Sequence, residues 1–144
     1  MTDFVLDASV AAKWFLSPSH ESHTGEALAL FERFVDGEVR FSVPDLFWAE
    51  LGSAFWKAVR LGRFSRTSAQ TALSDLRNRD LLVYPTAPLL DEAFHIATLY
   101  DRSVYDSLYV ALAVKTKQQL LTADERFANA LAAHFPVKWL GAVQ

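Results

Sequence analysis

Phe4-Val5-Leu6-Asp7 decides the architecture. Three consecutive apolar residues, with no alternation, mark a strand buried on both faces, which is the habit of parallel sheets. The acid that follows stands at the strand's carboxyl end. Outward from there, short apolar runs alternate with helical stretches. The pattern predicts a short helix over 10–16 and, after the turn-like Ser17-Pro18-Ser19, a longer one with Leu28, Phe31 and Val35 on one face, ended by Gly37. A strand over 39–43 is stopped by Pro44. An apolar-rich helix over 46–61 ends at Gly62, and a more polar one over 67–77 folds back on it as a helical hairpin. A strand over 81–84 precedes a helix over 89–100 with Leu90, Phe94 and Ala97 on one face. Another helix over 105–115, a strand over 120–122, a helix over 124–133 and, after Pro136, a strand over 137–140 complete the chain. No linker, repeat or composition break interrupts it. Strands alternating with helices bury their faces as one α/β domain over 1–144, with a mainly parallel central sheet flanked by helices.

Composition agrees with one domain. The 144 residues are 51% hydrophobic, 13% aromatic and 22% charged, which supports a core and excludes a disordered or collagen-like chain. The absence of cysteine removes disulfide scaffolds, thiolate zinc sites and cysteine nucleophiles. The first residues carry no basic, apolar and small-residue export pattern, and no apolar run approaches the roughly 18 residues of a membrane span, so a soluble, cytoplasmic protein is expected. The formal charge of −3, taken alone, argues mildly against a nucleic-acid partner.

Four carboxylates stand where apolar residues or turns are expected. Asp7 ends the first strand, and Asp124 follows the fourth. Glu50 is the only charge between Leu46 and Trp56, and Asp106 the only one between Val104 and Val114. In a parallel α/β sheet the carboxyl ends of the strands line the crevice where ligands bind, so Asp7 and Asp124 face that edge. Glu50 and Asp106 fall in the first turns of helices, and Asp106 can face the same edge. Each acid also has a local explanation. Asp7 can cap the following helix, and the Ser103/Asp106 and Thr122/Glu125 spacings suit capping boxes, with Asp106 and Asp124 complementing helix dipoles. That explanation is weakest for Glu50, whose neighbours Phe47, Trp48, Ala49, Leu51 and Gly52 offer little polar surface, so its carboxylate needs a cation. Four converging carboxylates repel one another unless positive charge lies between them, and no Lys or Arg is an obvious candidate. A hard divalent cation resolves this: Mg²⁺ or Mn²⁺ takes carboxylate oxygens and water where zinc prefers His or Cys. The chemistry such a site suits is phosphodiester hydrolysis by an activated water.

Val5-Leu6-Asp7-Ala8-Ser9, Trp48-Ala49-Glu50-Leu51, the stretch from Val104-Tyr105-Asp106-Ser107 through Leu112-Ala113, and Leu121-Thr122-Ala123-Asp124-Glu125-Arg126-Phe127 together resemble the PIN-domain ribonucleases. The subgroup they resemble is the VapC-type toxins of toxin-antitoxin pairs. Each motif is weak alone; the four in order, across essentially the whole chain, are specific. The resemblance implies a Mg²⁺- or Mn²⁺-dependent endoribonuclease that leaves 5'-phosphate and 3'-hydroxyl ends. It implies a metal site of Asp7, Glu50, Asp106 and Asp124, with Asp7 and Asp106 as direct ligands and Glu50 and Asp124 acting directly or through water. Ser9 and Thr122 resemble the family's supporting hydroxyls, for which helix capping is the equal alternative. A VapB-type antitoxin and a homodimer are the implied protein partners. A housekeeping PIN nuclease of RNA processing, or a catalytically silent PIN module that only binds, remain the alternatives.

Lys57, Arg60, Arg63, Arg66, Arg77 and Arg79 face one acid, Asp75, giving that segment a local charge of +5. A solvated hairpin explains this as well as phosphate contact does, and RNA binding through Lys57, Arg60, Arg63 and Arg66 would be salt-dependent. Rival motifs fail. Phosphate-loop and Gly-x-Ser-x-Gly patterns are absent, and His20-Glu21-Ser22-His23 misses zinc-protease spacing by one residue. The histidines are expected to be solvated.

Overall fold

The computed structural model describes residues 1–143; Gln144, the last residue of the expected domain, lies outside the described residues. Five strands, β1 (Thr2–Leu6), β2 (Val39–Pro44), β3 (Leu82–Tyr84), β4 (Gln119–Thr122) and β5 (Val137–Trp139), form one sheet in the order β3-β2-β1-β4-β5. Every pairing is parallel, with Val5 opposite both Ser42 and Leu120. The chain builds outward on one side of β1 through β2 and β3, then returns to build the other side through β4 and β5. The reversal falls between β1 and β4, and in open α/β sheets ligands bind beyond the carboxyl ends of the strands at such a switch point.

Helices cover both faces: α1 (Ala8–Ala12), α2 (Thr24–Val35), α3 (Leu46–Arg60) and α4 (Arg66–Arg77) on one, α5 (Leu90–Tyr100), α6 (Val104–Thr116) and α7 (Glu125–Leu131) on the other. Strand periodicity divides the core between them. Leu6 and Leu121 point to the first layer with Phe41, Phe47 and Phe55, whereas Val5 and Leu120 point to the second with Ile96, Tyr109 and Leu112. Helix α6 is buried continuously from Ser107 to Ala113, as expected of a helix apolar all round and packed on the sheet and α5.

Several expectations are corrected. The helix expected over 10–16 starts earlier and ends at Ala12; beyond it Lys13, Trp14 and Phe15 donate to carbonyls three residues back, so the segment continues as tight turns. The terminal helix stops at Leu131. On α2 the buried side chains are Ala27 and Leu30, while Leu28 and Val35 are exposed. On α5 Ala93, Ile96 and Ala97 are buried, while Leu90 and Phe94 are exposed. In both helices the covered stripe combines alanines with one large residue, Leu30 or Ile96, and spacing alone does not separate two interleaved faces. The expected hairpin is present as α3 and α4, joined through Gly62 at φ +70° and Ser65, whose hydroxyl caps α4 by accepting from the Ser68 amide.

Candidate active site

Asp7 leaves β1 and caps α1. Its amide donates to the Leu121 carbonyl at 3.0 Å, which locks it beside β4. One carboxylate oxygen accepts from the Ser9 amide at 3.4 Å and the other from the Thr122 hydroxyl at 2.8 Å. Thr122 is fully buried, and its oxygen accepts in turn from the Asp124 amide at 3.1 Å. The Ser9 hydroxyl accepts from the Ala123 amide at 3.1 Å. Neither hydroxyl caps its own helix: both tie the loop after β1 to the loop after β4. Asp124 caps α7 by accepting from the Phe127 amide at 3.0 Å, so it is the residue before that helix rather than a first-turn acid.

Glu50 belongs to the second turn of α3, not the first, because that helix begins at Leu46 without a side-chain cap. Its Oε1 is buried with no hydrogen-bond partner, and the hydroxyl of Tyr109 is likewise unpartnered. The two groups face one another across α3 and α6 without closing a hydrogen bond of acceptable geometry. Asp106 sits in the first turn of α6, which Ser103 caps by accepting from the Asp106 amide at 3.0 Å. A cation is present where none was expected: Arg102 Nη2 lies 3.7 Å from Asp106 Oδ2, with the guanidinium over the Phe127 ring. Among the described residues, Asp7, Glu50 and Asp124 form no ion pair with Lys or Arg.

Asp7, Glu50, Asp106 and Asp124 line one cleft of about 270 Å³ together with Ala8, Ser9 and Ala54. Burial pushes the Asp7 carboxyl up, against the hydrogen bonds from Thr122 and Ser9, and the charge of Asp106 adds to the rise. Glu50 is also raised, first by burial and then by Asp7 and Asp106. Asp106 is raised by burial and by Asp124, with Arg102 opposing. Tyr109 is raised by burial and by its negative neighbours Asp7 and Glu50, which keeps its hydroxyl protonated. The donor set is carboxylate oxygen only, partly desolvated and short of positive charge, which fits a hard divalent cation. Among the described residues, no three Asp, Glu or His side chains stand close enough together to form a metal-holding cage. Mg²⁺ needs no such cage, since it keeps several waters and takes one or two carboxylates directly.

Nothing in the sequence marks Arg102 and Tyr109 as members of the site except spacing: Arg102 stands four residues before Asp106, Tyr109 three after it. Of the basic residues, Lys57 and Arg63 line a second cavity that shares Ser9, Ala54 and Asp124 with the carboxylate cleft. Arg60 lies over Trp56, Arg79 pairs with Asp75 at 3.3 Å, and Arg66 opens α4 on the exposed surface. All four histidines are exposed, as expected. No described helix is long and apolar enough to cross a membrane.

Residues 4–131 match the family model described as PIN domain. Ribonuclease VapC3 of Pyrobaculum aerophilum is 32% identical over 131 residues, covering 90% of this chain and 95% of that protein. Among solved structures, PAE2754 from Pyrobaculum aerophilum is similar with a TM-score of 0.72 at 21% identity, over 97% of this chain and 90% of that one. A chain of a toxin-antitoxin complex from Klebsiella pneumoniae is similar with a TM-score of 0.59 at 15% identity, over 94% and 95%.

Proposed function

The chain belongs to the PIN-domain family, within its VapC-type ribonucleases, and from that premise we propose that it is a metal-dependent endoribonuclease, the toxin of a toxin-antitoxin pair. The observation that carries the proposal is the convergence of Asp7, Glu50, Asp106 and Asp124 on one cleft at the sheet's switch point. Asp7 and Asp106 would hold Mg²⁺ or Mn²⁺ directly, with Glu50 and Asp124 acting directly or through water. The ion would supply a nucleophilic water at neutral pH and stabilise the charge that develops on the phosphate. The protein's own part is preorganisation. The Thr122 hydroxyl and the Ser9 amide hold both oxygens of Asp7, the Ser103 cap places Asp106 at the start of a buried helix, and Tyr109 faces Glu50. Lys57 and Arg63 in the adjoining cavity suit phosphate contact, with Arg60 and Arg66 extending the basic surface on α3 and α4.

The protein partner proposed is a VapB-type antitoxin, supported by the likeness to a chain of a toxin-antitoxin complex. Homodimerisation is supported by exposed apolar residues, Leu90 and Phe94 of α5 and Leu82 and Val83 of the edge strand β3. A cytoplasmic location is part of the same proposal.

The test incubates purified protein with structured RNAs in Mg²⁺ or Mn²⁺, in chelator, and as Asp7→Asn, Asp106→Asn and Thr122→Val. Cleavage is expected only with metal. Thr122→Val should lose about 10–100-fold, the usual cost of removing a group that orients a ligand, and the two Asn variants more than that. Full cleavage in chelator or by either Asn variant would overturn the mechanism. Growth arrest on expression of this chain alone, relieved by a co-expressed antitoxin, is the expected sign of a toxin; unimpaired growth would contradict that assignment.

A further inference from the structure

The second cavity, of about 440 Å³, falls within the roughly 300–1,000 Å³ of small-ligand sites. Ala12, Leu16, Ala54, Ala58 and Leu61 give it apolar wall surface, and polar and charged side chains complete the lining. Among the latter is an ion pair, Lys13 Nζ to Glu21 Oε1 at 3.3 Å, whose side chains are only 10% and 25% exposed. A partly buried single-contact pair of this kind adds little stability, because the cost of desolvating the charges works against their attraction. The pair is also incompletely used. The contact is single, so the ammonium keeps further hydrogens, and the second carboxylate oxygen has no hydrogen-bond partner among the described side-chain contacts. Ser9, Ala54 and Asp124 are common to this cavity and the carboxylate cleft, so whatever fills it lies next to the four carboxylates.

We propose that this cavity is a nucleobase subsite that selects a guanine beside the scissile phosphodiester, with Lys13 and Glu21 as the groups that read it. The inference rests on the nuclease reading of the neighbouring carboxylates. A base turned out of a single-stranded loop presents apolar faces and a polar edge, and the cavity presents apolar wall residues with the Lys13–Glu21 pair set among them. Lys57 and Arg63, both exposed on its lining, suit the flanking phosphates. Guanine fits the pair because its Watson-Crick edge carries an acceptor, O6, beside two adjacent donors, N1–H and the N2 amino group. The ammonium donates to the first and the carboxylate accepts from the other two. Adenine and cytosine offer the carboxylate one donor on that edge, and uracil places an acceptor on each side of its single donor.

Two measurements test this. Amide chemical-shift titration of the full chain with guanosine, adenosine, cytidine and uridine monophosphates should show GMP binding about tenfold or more tightly than the others, the discrimination typical of a bidentate contact. Shifts should centre on Lys13 and Glu21, and Glu21→Gln should reduce the preference to within about twofold. In the second, cleavage sites mapped on a single-stranded RNA library should cluster beside guanine for the wild type and spread over all four bases for Glu21→Gln and for Lys13→Gln. Equal affinity for the four nucleotides, or a guanine preference untouched by both substitutions, overturns the subsite. Metal-dependent cleavage without base preference overturns the subsite and leaves the nuclease reading standing. GMP selectivity lost in Glu21→Gln, with no RNA cut under any condition, supports the subsite and overturns the nuclease reading.

Discussion

Asp7, Glu50 and Asp106 have carboxyl groups that titrate above their ordinary range in the folded protein because burial disfavours their charged forms. The unfolded chain releases these protons at lower pH than the folded one. Between the ordinary carboxylate values and the raised ones the native state therefore binds more protons, and stability falls as pH rises through that window. In metal-free protein the stability contribution of these three acids is expected to be full below pH 4 or so and lost as pH climbs through the raised values. Thermal unfolding in chelator across pH 4 to about 7 measures it. Glu50→Gln should raise the melting temperature at neutral pH and flatten that dependence, since it removes a half-buried charge that Asp7 and Asp106 repel; an unchanged pH profile would contradict the account. These acids were legible in the sequence because each interrupts an apolar run or ends a strand. Arg102 and Tyr109 were not, because an ordinary basic residue at a helix start and an aromatic in a buried helix acquire meaning only from what they face.

Helix starts set the geometry of the site. Ser103 carries the first turn of α6 by accepting from the Asp106 amide, so one cap both begins the helix and places a candidate ligand. Ser103→Ala is expected to cost about 1 kcal/mol, typical of a lost N-cap, read by denaturant unfolding. It should also lower metal-dependent cleavage, and a substitution that leaves both unchanged would remove this role from the cap. Capping-box spacing was visible at Ser103 and Asp106, and the helix is there. At Thr122 and Glu125 the same spacing misled. Asp124 takes the cap, while the Thr122 hydroxyl turns inward to Asp7, 115 residues away in sequence, because a buried carboxylate needs a donor more than a solvated helix end does. Element boundaries at β2, α3 and α6 were legible from Pro44, Gly62 and Ser103. Buried faces on α2 and α5 were not, since which of two apolar stripes is covered depends on the partner helix.

Across the whole molecule the charges are segregated. Leaving out the four site carboxylates takes the formal charge from −3 to +1, so the overall balance is poor evidence against an RNA substrate. Lys57 and Arg63 lie beside the cleft, whereas Arg79 is occupied by Asp75. RNA affinity measured against salt should lose about 0.7 from its log-log slope for each phosphate contact removed by Lys57→Ala or Arg63→Ala. Arg79→Ala should change the slope little, and equal effects from all three would mean diffuse charge rather than a defined path. The sequence by itself determined the α/β class, the parallel strands and the identity of the acids, because strand burial, helix periodicity and isolated charges are local properties of the chain. Only the tertiary structure decided that β4 returns beside β1, that Thr122 therefore reaches Asp7, and that Lys57 and Arg63 of the α3–α4 region share a cavity with Ser9 and Asp124 next to the cleft. Those are contacts between residues far apart in sequence, and they exist only once packing has brought the strands together.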